Sequence, residues 1–81
     1  MKHNTVYQTS GVCSRAIRIE TEDGIVRSVH FDGGCQGNTL AVSRLAEGRP
    51  VAEVIARLRG IDCGGKGTSC PDQLARALES M

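Results

Sequence analysis

The order of apolar and polar positions changes its period once along the chain. In 15–20 (RAIRIE) apolar and polar residues alternate, which is typical of a strand with one buried face. The segments 5–9 and 25–31 are rich in β-branched and aromatic residues, which favours two further strands. Asp23-Gly24 lies between the segments 15–20 and 25–31 and predicts a tight hairpin turn, because glycine accepts a positive φ. The N-terminal part of the chain therefore predicts a three-stranded antiparallel meander.

Beyond the meander, apolar residues recur at helical spacing. The first helix is predicted to run from Asn38, as its N-cap, through Glu47, with Gly48 just past its end. A second helix is predicted to open at Pro50 and to close at Gly60. The predicted apolar stripes of these two helices are Ala41, Val42, Leu45 and Ala46, then Val51, Val54, Ile55 and Leu58.

A third helix is predicted after Pro71, with Cys70 as its N-cap and Asp72 in a first turn that favours negative charge. Its apolar stripe would be Leu74, Ala77, Leu78 and Met81. One amphipathic sheet and three amphipathic helices predict a two-layer α+β domain over residues 1–81, with the helices packed on one face of the meander.

The composition indicates a small core that needs further support. The chain of 81 residues has no Trp, one Tyr and one Phe, so small aliphatic side chains must fill its interior. Burial in so small a domain exceeds the ordering entropy of ~1.5 kcal/mol per residue only slightly. A metal, a disulfide or a partner chain would therefore stabilise it, and a homodimer is compatible with the sequence.

Charge and hydropathy exclude several classes of partner. A net charge of +1, from ten basic and nine acidic residues spread along the chain, does not favour nucleic acid or an anionic membrane. No segment approaches the ~20 apolar residues of a membrane span. The polar N-terminus carries no apolar signal region. We therefore expect a cytoplasmic protein whose thiols stay reduced.

The strongest candidates for chemistry are four cysteines: Cys13, Cys35, Cys63 and Cys70. All four lie in predicted turns or at helix starts beside small residues, and none lies on a predicted apolar helix stripe. No C-x-x-C is present, so the thiols would have to converge from separate elements. Glycine neighbours allow close backbone approach, and thiolates bind Zn²⁺ and iron–sulfur clusters. We expect these four cysteines to hold one zinc ion or one iron–sulfur cluster.

Two other interpretations of the cysteines stay open. Cys63 and Cys70 bracket a six-residue loop and would form a reversible disulfide in a thiol redox protein. Alternatively, all four pack as small hydrophobic side chains in a metal-free module that binds a partner.

The glycine-rich loop before the third helix is a further candidate site. Its backbone N–H groups, with the N-terminus of the helix, would hold a small anion. The residues concerned are Gly65, Lys66, Gly67, Thr68 and Ser69. The loop lacks the order G-x-x-x-x-G-K-[ST] of a nucleotide-binding phosphate loop.

Residues 68–72 spell TSCPD, the motif after which the TSCPD domain family is named. The resemblance extends to 11–14 (GVCS), 31–38 (FDGGCQGN) and 60–64 (GIDCG), and so covers nearly the whole chain. That family includes small stand-alone proteins and a domain at the C-terminus of vitamin B12-dependent ribonucleotide reductases. The resemblance implies an accessory module without catalysis of its own, because 81 residues cannot hold a reductase barrel and a radical source.

The order of strands, cysteines and helices is also distantly similar to the U-type iron–sulfur scaffold proteins. These bind zinc or assemble clusters at three cysteines, whose places here would be taken by Cys13, Cys35 and Cys70. The chain has Arg15 where the scaffolds have Asp, and Ser69 where they have His, so Cys63 would replace the missing ligand. Together the two resemblances imply a protein partner, either a ribonucleotide reductase or the iron–sulfur machinery.

Overall fold

A computed structural model describes residues 2–12, 14–34, 36–62, 65 and 67–81. Within these ranges the elements are, in chain order, β1 (Lys2–Gln8), β2 (Ser14–Glu22), β3 (Ile25–Gly33), α1 (Gln36–Ala46), α2 (Val51–Leu58) and α3 (Cys70–Glu79). The strands form one antiparallel sheet in the order β1-β2-β3. The predicted α+β class and the meander followed by three helices are confirmed.

The hairpin between β2 and β3 turns where the sequence predicted it. Asp23 and Gly24 have φ values of 53° and 78°, and Glu22 pairs with Ile25 across the turn. Two consecutive positive φ values match the right-handed twist of the flanking strands. The pairing shifts by one residue between Thr21 and Glu20, and beyond that shift Ile19 and Ile17 pair with Val29 and Phe31, all four in the core.

All three strands are longer than their apolar segments. β1 begins at Lys2, whose ammonium lies 3.4 Å from the Glu20 carboxylate on β2. At the other end of the sheet, Ser14 pairs with Gly33. Backbone pairing continues through polar residues because it requires only free N–H and C=O groups, which a hydropathy pattern does not report.

Helix α3 is the most deeply buried helix among the described elements. Eight of its ten residues are buried, including Leu74, Ala77 and Leu78 of the predicted stripe. Met81 lies past the helix end and is 45% exposed. The helix packs against α2, α1 and β2, so it connects the helical layer to the sheet.

Three details of the predicted helices are wrong. Helix α1 begins at Gln36, ahead of the predicted N-cap Asn38, and Leu45 of its predicted apolar stripe is 72% exposed. The N-cap of α3 is Ser69 rather than Cys70, and the Ser69 hydroxyl accepts a hydrogen bond from Asp72 N at 3.2 Å. A hydroxyl oxygen accepts such a bond better than a thiol, which explains why the helix starts one residue earlier.

No helix within the described ranges is both long enough and apolar enough to cross a membrane.

Candidate functional site

Of the four predicted ligands, the structure describes Cys70. Cys13, Cys35 and Cys63 lie outside the described residues. Cys70 is the first residue of α3, is 8% exposed and carries a free thiol. Its Sγ lies 3.3 Å from the Oγ of Ser14, the residue at which β2 begins. The described part of the chain contains no cluster of three His, Cys, Asp or Glu side chains at metal-binding spacing.

The described neighbours of the predicted ligands meet at this point. Ser14 follows Cys13 in the chain and Gly34 precedes Cys35. A Cβ atom added to Gly34 would lie 3.2 Å from Ser14 N and 3.3 Å from Ser14 Cβ. Gly34 also has a φ of +84°, so this contact between the ends of β2 and β3 requires glycine. Ser14 thus touches the neighbour of one predicted ligand and the thiol of another.

The segment that leads to Cys63 is bound to the start of α3. Ser69 Oγ donates to the carbonyl of Ile61 at 2.6 Å, and Gly60 N donates to Asp72 Oδ1 at 2.7 Å. These two bonds hold Gly60 and Ile61 against the start of α3, next to Cys70.

A buried carboxylate organises the whole start of α3. Asp72 has no exposed surface and accepts hydrogen bonds at both oxygens. Oδ1 accepts from Gly60 N and from Arg59 Nη1 at 3.3 Å. Oδ2 accepts from Thr68 Oγ1 at 2.6 Å and from Arg76 Nε at 2.8 Å. The sequence predicted only that Asp72 would favour the helix dipole, and its role as a buried centre was missed.

The pKa of Asp72 follows from these contacts. Burial acts to raise it, but the hydrogen bonds from the Thr68 hydroxyl and the Gly60 amide, with the bond and charge of Arg76, outweigh burial and lower the pKa to about 2. The carboxylate is therefore ionised at neutral pH. The pKa of Arg59 is raised, first by its hydrogen bond with Glu79 and by the charge of Glu79, and further by Asp72.

The side chain of Gln73 extends the same network toward the sheet. Its Nε2 donates to Thr68 Oγ1 at 2.9 Å, and its Oε1 accepts from Ser10 N, in the β1–β2 connection, at 3.2 Å. Within the TSCPD motif, Thr68, Ser69 and Asp72 thus hold the surroundings of Cys70 in place.

Four donors of the predicted anion loop have acceptors within the chain. Gly65 N donates to Asp62 Oδ2 at 2.8 Å, and Gly67 N donates to Asp62 Oδ1. The hydroxyls of Thr68 and Ser69 donate to Asp72 and to the Ile61 carbonyl. Lys66 lies outside the described residues. The Asp62 carboxylate thus occupies the N–H groups of Gly65 and Gly67.

The chain belongs to the TSCPD domain family, whose family model matches residues 1–81. Neither the curated proteins nor the solved structures contain a match to this chain. The family assignment therefore defines the class of the protein.

Proposed function

We propose that this TSCPD protein is a metal-binding module in which Cys13, Cys35, Cys63 and Cys70 together hold one Zn²⁺ ion or one iron–sulfur cluster. The observation that carries the proposal is the contact of Ser14 with both Gly34 and the Cys70 thiol. Ser14 and Gly34 are chain neighbours of two of the proposed ligands. Sequence-distant segments therefore meet beside a thiol that is itself a proposed ligand.

The distances are compatible with a shared ion. Consecutive Cα atoms lie about 3.8 Å apart, and four sulfurs at ~2.3 Å from one zinc ion would lie about 3.8 Å from each other. The Ser14 Oγ to Cys70 Sγ distance of 3.3 Å brings the residue next to Cys13 into contact with the Cys70 thiol. The bonds of Gly60 and Ser69 hold the segment that leads to Cys63 beside the same helix start.

The donor chemistry also fits the proposal. Four thiolates are the ligands that structural zinc and iron–sulfur clusters prefer. Cys70 lies in the first turn of α3, where the helix dipole favours negative charge. The Ser14 hydroxyl is placed to donate to the Cys70 sulfur, as groups around metal-bound thiolates commonly do. A bound metal would tie the sheet to α3 and contribute on the order of 10–16 kcal/mol to folding.

We further propose that the module is accessory to a larger system and acts through a protein partner. The support for this is the resemblance to the TSCPD domain of ribonucleotide reductases and to the iron–sulfur scaffold proteins. The partner would be a ribonucleotide reductase or the iron–sulfur machinery of the cytoplasm. Co-elution of the metal-loaded chain with such a partner in size-exclusion chromatography tests this, and elution as separate species contradicts it.

Metal content tests the main proposal. Protein purified anaerobically, without metal-affinity resin, should contain either one equivalent of zinc, or iron and sulfide with visible absorbance. Cys13→Ser, Cys35→Ser, Cys63→Ser and Cys70→Ser should each lower the metal content and the melting temperature. The matched control is Ser43→Ala, which changes a buried side chain of α1 and should leave the metal content unchanged.

Two outcomes would replace the proposal. Less than a few tenths of an equivalent of metal, with no change of melting temperature in chelator, would favour a metal-free binding module. Oxidation of Cys63 and Cys70 as a pair in thiol titrations under defined redox buffers, again without metal, would favour a thiol redox protein.

A further inference from the structure

We propose that the cleft between β3 and α1 binds a small organic phosphate monoester. This β3–α1 cleft has a volume of about 930 Å³. Residues of β2, β3 and α1 line it. Its size lies near the upper end of ordinary small-molecule sites. The proposal rests on the described lining residues, none of which is a cysteine.

The acidic side chains of the cleft already have partners. Asp32 lies 3.3 Å from Arg18 Nε and 3.4 Å from His30 Nε2. Glu47 accepts a hydrogen bond from the backbone N–H of Val29 at 3.1 Å. Asp32 is therefore paired with the Arg18 cation, and Glu47 is held by a backbone amide.

Two arginines of the lining remain without an acidic partner among the described residues. Arg15 lies on β2 and Arg44 in the last turn of α1, and neither forms an ion pair within the described ranges. The register shifts between Ser14 and Ala16, so Arg15 is the extra residue of a β-bulge. Such bulges redirect a side chain, often beside a functional site. The lining therefore includes two guanidinium groups, from two different elements, that no described carboxylate pairs with.

The charge and the floor of the cleft define the ligand. A phosphate monoester carries about −1.5 to −2 charges at neutral pH, which matches two guanidinium groups, and guanidinium binds phosphate oxygens in a bidentate manner. Phe31 and Val29 lie in the lining but are only 7% and 6% exposed, so the apolar surface that the cleft offers is that of Leu40, which is 55% exposed. An apolar body on the phosphate would cover this surface, so the ligand combines a phosphate with an apolar group.

An NMR titration with phenyl phosphate tests the proposal on the full chain. Phenyl phosphate should cause saturable shifts of backbone amides in 29–34 and 39–44. Phenol, which lacks the charge, and inorganic phosphate, which lacks the apolar body, should each bind more weakly by about tenfold. Arg15→Gln and Arg44→Gln should each weaken phenyl phosphate by about fivefold or more, since each removes a charge-assisted contact.

The control removes the same charge outside the cleft. Arg27→Gln affects a β3 arginine that lies 3.6 Å from Glu22, and it should change the affinity by less than about twofold. The proposal is overturned if phenyl phosphate causes no saturable shifts up to millimolar concentration. It is equally overturned if phenol or inorganic phosphate binds as tightly, or if Arg27→Gln weakens binding as much as Arg15→Gln and Arg44→Gln do.

Discussion

Replacing the buried carboxylate with an amide, Asp72→Asn, should destabilise the fold more than any comparable surface substitution. In the wild type each Asp72 oxygen accepts two hydrogen bonds. The amide NH₂ would face two donors, whichever way the side chain is oriented. Losing charge-assisted hydrogen bonds from a buried group costs about 1.5–3 kcal/mol each. The two arginine side chains are 46% and 41% exposed and regain water, so we expect a net loss of about 3 kcal/mol.

That loss is large for this chain, because a domain of 81 residues is stable by roughly 4–12 kcal/mol. Urea denaturation followed by far-UV circular dichroism measures it, and this probe suits a protein without Trp. The control is Asp32→Asn, which removes a carboxylate that pairs with the largely exposed Arg18 and His30. We expect the control to cost less than about 1 kcal/mol.

The pH dependence gives an independent check. The pKa of Asp72 is lowered from 3.8 to about 2 on folding, so its ionisation stabilises the fold fully above the unfolded pKa. This contribution, about 2 kcal/mol, is lost as pH falls from about 4 to about 2. The stability difference between wild type and Asp72→Asn should therefore narrow over this interval. An equal loss for Asp72→Asn and Asp32→Asn at pH 7, or a difference that stays constant down to pH 2, would refute the reasoning.

Two further substitutions test the surroundings of the Cys70 thiol by the same denaturation assay. Gly34→Ala should cost about 1–3 kcal/mol, because its Cβ would lie 3.2 Å from Ser14 N at a φ of +84°. Gly37→Ala, where an added Cβ has no neighbour within 4 Å, should be neutral or stabilising, and equal effects would contradict the proposed contact. Ser69→Ala should cost about 1–2 kcal/mol, since it removes both the N-cap of α3 and the bond to the Ile61 carbonyl. Ser80→Ala removes one hydroxyl bond near the exposed end of the helix, and a loss as large as that of Ser69→Ala would contradict this account.

The sequence predicted the fold where local chemistry determines it. The pattern of β2, the Asp23-Gly24 turn and the α3 stripe of Leu74, Ala77 and Leu78 each depend on residues close together in the chain, and each is confirmed. Met81, the last residue of the predicted stripe, lies outside the helix. The exposure of Leu45 could not be predicted in this way. The exposure of Leu45 depends on which face of α1 packs against β3. The periodicity of apolar residues within one helix does not determine which neighbouring element covers each of them.

The sequence predicted a candidate site at the cysteines, but it did not predict the hydrogen-bond network around Asp72. Cysteines beside glycines indicated a site around Cys70, but the buried centre at Asp72 combines bonds from Gly60, Thr68 and Arg76. Asp72 and Arg76 have the i, i+4 spacing of an ordinary surface pair, so their spacing gave no sign of burial. The available signal was the pair Thr68-Ser69 directly before a helix that has Asp72 in its first turn. Hydroxyls and a carboxylate in these positions can form hydrogen bonds with each other and with the first backbone N–H groups of the helix.

X-ray absorption spectroscopy at the edge of the bound metal tests most directly whether four separated cysteines share one centre. The spectrum of anaerobically purified protein should fit about four sulfur neighbours at about 2.3 Å, and Cys70→Ser should reduce that number. A bound metal surrounded by nitrogen or oxygen, or a sulfur shell that Cys70→Ser leaves unchanged, would contradict the account.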